Sequence, residues 1–149
     1  MYEALDRAYE ATGEKAKGRE QLERYAEVGG RNPDTLNRLA DLQVEAGDKR
    51  GATKTLERLN FVYVRDEHAH QKLGDLELEL NNPTLAVREY QAVLADKPVD
   101  PAGAHFQLAK ALQAAKRTAE ARDEVFTALE LAPEYKPAQK LLLELSNVK

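Results

Sequence analysis

The side chains best suited to chemistry in this sequence are three histidines, His68, His70 and His105, and the many carboxylates around them. Imidazole and carboxylate together could ligate a metal or relay a proton. His68 and His70, two residues apart on a helix, point about 200° from each other and cannot close on one ion. His70 and His105 fall at matching places in a repeating pattern set out below, where Tyr2 and Leu36 stand in the two earlier units. Packing is therefore the expected role of that position, and no metal is expected. The only serine, Ser146, lies in the C-terminal tail, and there is no cysteine, no glycine-rich phosphate loop and no HExxH. Nothing marks a nucleophile, so no catalytic residue and no cofactor is expected. The remaining acids, at helical spacing, read as solvated faces.

These residues must be carried by helices. The chain has 149 residues, 42% hydrophobic and 32% charged, with 6% aromatics and no Trp, so a core has to be built from Leu, Ala and Val. The formal net charge of −4 disfavours a surface for nucleic acid or anionic membrane. The opening MYEALDRAYE has no signal-peptide pattern, and no run approaches the roughly 20 apolar residues of a membrane span. The expectation is a soluble chain whose compartment and oligomeric state are open.

The segments ATGEKAKG (11–18), EAGDKRGA (45–52), ELNNPTLA (79–86) and AAKRTAEA (114–121) align. Gly13, Gly47 and Asn81 are 34 residues apart; so are Gly18, Ala52 and Ala86, and Ala121 follows 35 later. Leu5, Leu39, Leu73 and Leu108 keep the same interval, with Pro101 accounting for the one extra residue. Each unit reads as two helices. In the first of the second unit, Leu36, Leu39, Ala40 and Gln43 form one face, and Gly47 ends it in the left-handed conformation. Asn81 does this in the third unit, and Asn82 with Pro83 opens the next helix as cap and first residue. Its stripe is Ala86, Tyr90 and Val93, closed by Pro98; Ala121, Val125, Ala128 and Pro133 repeat it. Small residues at Ala40, Gly74 and Ala109, and at Ala52, Ala86 and Ala121, allow close helix approach.

A 34-residue period with Leu73-Gly74, then Ala86, Tyr90 and Pro98, resembles the tetratricopeptide repeat. That resemblance implies an all-α fold: a right-handed α-α superhelix of antiparallel helix pairs, a single domain over 1–149. Its repeats would span about 1–32, 33–66, 67–100 and 102–135, with a capping helix at 136–149. The first unit departs from the pattern, since Asp6 replaces the small residue and Gly18 the alanine, and it starts partway into its first helix. The alternative expectation is an arm of a larger bacterial protein, since AHFQLAKAL followed by ALELAPEYKPAQKLLLEL is similar to the repeat-bearing C-terminal regions of some bacterial metalloproteases. The stretch RLNFVYVRDEHAH (58–70) reads as a joint between units rather than a strand, because a lone strand would leave its backbone unpaired. Its apolar Phe61, Val62, Tyr63 and Val64 are expected to tuck under the next pair. In the last segment Leu141, Leu142, Leu143 and Leu145 suit a cap, with Gln139, Lys140 and Glu144 in water, or else a face for a partner.

The resemblance also implies a partner-binding groove on the first helix of each pair. By register its residues are Arg7, Asn37, Asp41, Val44, Gln71, Asp75, Leu78, Phe106 and Lys110, flanked by Glu3, Glu10, Glu45, Glu79 and Gln113. The places that clamp a terminal carboxylate in some relatives hold Glu3 and Arg7, Asn37 with Arg38, and His68 with Lys72, which is not that pattern. The acids outnumber the bases, so the expected partner is a protein or peptide that is basic or mixed in charge. One-base-per-repeat RNA binding, as in pentatricopeptide proteins, would need a basic groove, so no nucleic acid is expected. The function expected is a non-catalytic protein-interaction module or scaffold.

Overall fold

The computed structural model describes residues 1–63 and 66–147. Among them every regular element is an α-helix: α1 (Tyr2–Ala11), α2 (Lys15–Glu27), α3 (Pro33–Glu45), α4 (Lys49–Val62), α5 (Glu67–Glu79), α6 (Pro83–Ala95), α7 (Pro101–Ala114), α8 (Thr118–Leu131) and α9 (Lys136–Ser146). The chain divides into two compact units, Met1–Ala69 and His70–Lys149, and α5 runs across the division.

The turns inside the pairs explain the regularity. Gly13, Gly47, Asn81 and Lys116 have φ of 76°, 79°, 62° and 61°. In each case the following backbone N–H bonds back to a carbonyl in the helix's last turn: Glu14 to Tyr9, Asp48 to Gln43, Asn82 to Glu77, and Arg117 to Leu112. This closes the carbonyls that a helix end leaves open. Glycine and asparagine enter this conformation at little cost; Lys116 does so against its side chain.

The starts are set by side chains. Asn32, Asp48 and Asp100 accept from the backbone N–H groups of Thr35, Gly51 and Gly103 at 3.1, 2.9 and 2.9 Å. Asp66 does the same for Ala69 at 3.0 Å. Asn82 stands in the cap position before Pro83, but its side chain makes no cap; its amide donates to Glu77 Oε2 at 2.8 Å instead.

In the first unit α1 packs on α2, α2 on α3 and α3 on α4. Leu22, Leu39 and Leu42 share a buried cluster, and Leu36, Ala40, Ala52, Leu56 and Leu59 are also buried. In the second unit α6, α7, α8 and α9 enclose a core of Ala86, Tyr90, Leu108, Ala109, Ala121, Val125, Ala128, Leu141 and Leu145. The small residues of the aligned positions lie in these cores, and a Cβ on Gly74 would come within 2.9 Å of the Tyr90 ring.

One expectation is corrected, and a second is refined. The aromatic residues of the 58–64 stretch do not tuck away: Phe61, in the last turn of α4, is 86% exposed and Tyr63 is 54% exposed. Val62 is half-buried and closes α4, while Val64 lies outside the described residues. Of the C-terminal leucines, Leu141 and Leu145 are buried, but Leu143 is 68% exposed. Three consecutive positions on a helix span about 200°, more than one packed face can cover.

Candidate partner-binding surface

The first helices of the pairs carry the nine predicted positions. In the first unit Arg7 is exposed on α1, and Asp41 and Val44 are exposed on α3, Val44 at 44%. Asn37 is half-buried. Its amide reaches Asp66 Oδ2 at 3.5 Å, and its carbonyl oxygen is buried without a partner. Arg7 lines a shallow polar pocket of about 130 Å³ with Glu3, Asp34, Thr35 and Arg38. Thr35 closes one wall by donating its hydroxyl to Glu3 at 2.5 Å.

In the second unit Gln71 and Asp75 are exposed on α5, Leu78 is half-buried against the core, and Phe106 and Lys110 lie on α7. Asp75 is not free to receive a ligand cation alone, since Tyr90 on α6 donates its hydroxyl to it at 2.5 Å. Burial first, and then that carboxylate, push the Tyr90 phenol well above its usual range. Phe106 meets the Tyr135 ring edge-on at 5.2 Å, and the Lys110 ammonium stands 5.8 Å from the Phe106 centroid. The nine positions thus fall as four on α1 and α3 and five on α5 and α7.

The histidines make contacts that register alone did not show. His70 Nδ1 meets Glu89 Oε2 at 2.8 Å, and His105 Nδ1 meets Glu124 Oε2 at 2.6 Å. Each pair links the first helix of a repeat to its second, with the same 19-residue separation. A carboxylate only accepts, so each ring donates through Nδ1. These are specific cross-helix hydrogen bonds at a position whose expected role was packing. Among the described residues no three His, Cys, Asp or Glu side chains group as a metal site. No described helix is long and apolar enough to cross a membrane.

The departure in the first unit is also structural. Asp6 is buried, faces Gly18 on α2, and is salt-bridged to Arg38 on α3, which also reaches Glu10 at 3.1 Å. The Arg38 guanidinium is held further above its ordinary range by its hydrogen bond to Asp6. The spacing of Asp6 and Arg38 carries no sequence signal; only the absence of a small residue at position 6 hinted at it.

No protein-family model and no curated protein sequence matches the chain. Solved structures do. MamA (41-end) from Desulfovibrio magneticus RS-1 superposes with a TM-score of 0.77 at 19% identity, over 97% of this chain and 81% of that one. The type III secretion chaperone SycD of Yersinia enterocolitica, in complex with a peptide of the translocator YopD, gives 0.67 at 21%, over 76% and 91%. The first tetratricopeptide-repeat domain of Spaghetti (RPAP3), bound to the HSP90 peptide SRMEEVD, gives 0.68 at 16%, over 76% and 90%. At these identities the likeness is one of fold, and it agrees with the 34-residue period, the left-handed turn residues and the all-helical described chain: this protein has the tetratricopeptide-repeat fold.

Proposed function

We propose that the chain is a non-catalytic protein-interaction module that binds an extended peptide or a helix of a partner along the first helices of its pairs. The observation that carries this reading is the make-up of those faces. Exposed polar side chains (Arg7, Asp41, Gln71, Lys110) alternate with apolar footing (Val44, Leu78, Phe106) that the core leaves partly uncovered. Polar groups of that kind bond peptide backbone, and the apolar ones supply burial. The fold neighbours seen with peptides support it. The acidic peptide SRMEEVD suits α3 poorly, since its exposed edge holds Asp41, with Glu45 beside it already paired to Lys15 at 2.7 Å. On that helix the partner is read as basic, and as mixed in charge over its length.

A random twelve-residue peptide library displayed on phage and panned on the intact chain tests this. Enriched peptides should lose about tenfold in affinity or more to an Asp41→Lys, Val44→Ala, Gln71→Ala variant that keeps its helical circular dichroism. No enrichment, or unchanged affinity for that variant, overturns the reading.

A further inference from the structure

The second unit holds a cleft of about 190 Å³ between α7 and α9. Phe106, Lys110 and Gln113 line it from α7, and Lys140, Leu141 and Glu144 from α9. Leu141 is buried and joins the core, and Phe106 packs against that core, so the cleft has an apolar floor. Its rim is cationic. Lys110 donates to the uncharged Gln107 Oε1 at 3.3 Å, and among the described residues neither Lys110 nor Lys140 is in an ion pair with a carboxylate.

We infer that this cleft takes one acidic side chain of a bound peptide, next to a large apolar one. The carboxylate pairs with Lys110 and Lys140, and the apolar neighbour rests on Phe106 and Leu141. Two ammonium groups over an apolar floor leave a carboxylate as the complementary charge. Glu144 on the same rim leaves one net positive charge beside Lys110 and Lys140, which a single carboxylate neutralises and a run of phosphates exceeds. At about 190 Å³ the cleft suits side chains of an extended peptide and is too small for a folded element. This inference rests on the peptide-binding reading and adds the identity of one residue to it: the mixed charge of the partner includes an acid placed at α7 and α9.

The same panned library tests it, with peptides measured on the intact chain, on Lys110→Glu, Lys140→Glu and on the milder Lys110→Gln, Lys140→Gln. Both lysines are exposed, so the variants should keep their helical signal and melting point. The enriched peptides are expected to carry Asp or Glu beside an aromatic or aliphatic residue. Their affinity should fall about tenfold or more with the Glu variant and less with the Gln variant. Replacing the peptide's own acid by its amide should reproduce that loss on the intact chain and add nothing on the Glu variant. Enriched peptides without an acid, or acidic peptides that bind the Glu variant equally well, overturn the cleft while leaving the interaction module standing. A library that enriches nothing overturns both.

Discussion

Asp6 rests on the bare α-carbon of Gly18. A Cβ built on that glycine would lie 2.7 Å from Asp6 Oδ1, and the carboxylate is only 3% exposed. The second unit of the pattern meets the same need with two alanines, Ala40 and Ala52, both buried. The first unit has enlarged one partner and emptied the other, and Arg38 balances the charge that this buries.

The exchange predicts strong coupling. Gly18→Ala should destabilise by about 1–2 kcal/mol despite its better helix propensity, because the pinned carboxylate cannot move aside. Asp6→Ala should also destabilise, by losing the ion pair and leaving a gap. The double variant rebuilds the alanine pair of the next repeat, and its cost should be smaller than the sum by about 1–3 kcal/mol. Urea unfolding of the four proteins closes the cycle; additive costs would mean that the two residues do not meet.

Tyr90 predicts the alkaline limit. Its phenol ionises near pH 10 in the unfolded chain. Burial and the adjacent Asp75 raise it well above that in the fold. The neutral form is thus favoured in the native state, and its contribution is complete below pH 10. Above pH 10 the unfolded chain loses a proton that the folded chain keeps, so stability falls by about 1.4 kcal/mol per pH unit from this group. Tyr90→Phe should cost about 0.5–1.5 kcal/mol at pH 7 and flatten the decline above pH 10. Parallel slopes for the two proteins between pH 10 and 11 would place the alkaline loss elsewhere.

What the sequence disclosed follows from which forces are local. The left-handed turns at Gly13, Gly47 and Asn81 were readable because backbone conformation restricts residue type. Lys116 was readable only through its place in the alignment, since lysine has no preference for that conformation. The buried alanines and Tyr90 followed from helical periodicity. Contacts between helices did not. Asp6 and Arg38 are 32 residues apart, and Asp75 reads as a free groove acid until Tyr90 is seen to bond it. Phe61 shows the limit from the other side: an apolar type predicts burial, yet its helix turns it outward. The nine predicted positions were assigned from register alone, which foretold neither the partial burial of Asn37, Leu78 and Phe106 nor the partners of each.

The two histidine pairs differ in burial, and that difference sets their worth. The side chains of His70 and Glu89 are 12% and 5% exposed, those of His105 and Glu124 22% and 27%. Removing a partner from a drier carboxylate costs more. His70→Ala should cost about 2–3 kcal/mol, softened by the Arg88 contact to Glu89 at 2.7 Å, and His105→Ala about 1 kcal/mol. Thermal melts at pH 7 give the order; equal losses, or a larger one at His105, would show that packing and not the hydrogen bond sets the cost.

Arg122 predicts how firmly α9 is held. Its guanidinium on α8 donates to the Leu145 carbonyl from Nη2 at 2.5 Å and from Nε at 3.2 Å. That carbonyl belongs to the last turn of α9, where four such groups lack an intrahelical partner and the helix dipole favours a cation. Leu145 itself is fully buried, so the contact ties the end of the helix to the core that Leu141 and Leu145 complete. Arg122→Ala should cost about 1–2 kcal/mol, while Arg122→Lys, which keeps the charge but not the fork, should recover only part of it. The loss should be local. Amide exchange should speed up in α9 well before it does in α7, because the helix frays from its uncapped end. Uniform acceleration across both helices would show instead that α9 opens only with the whole unit.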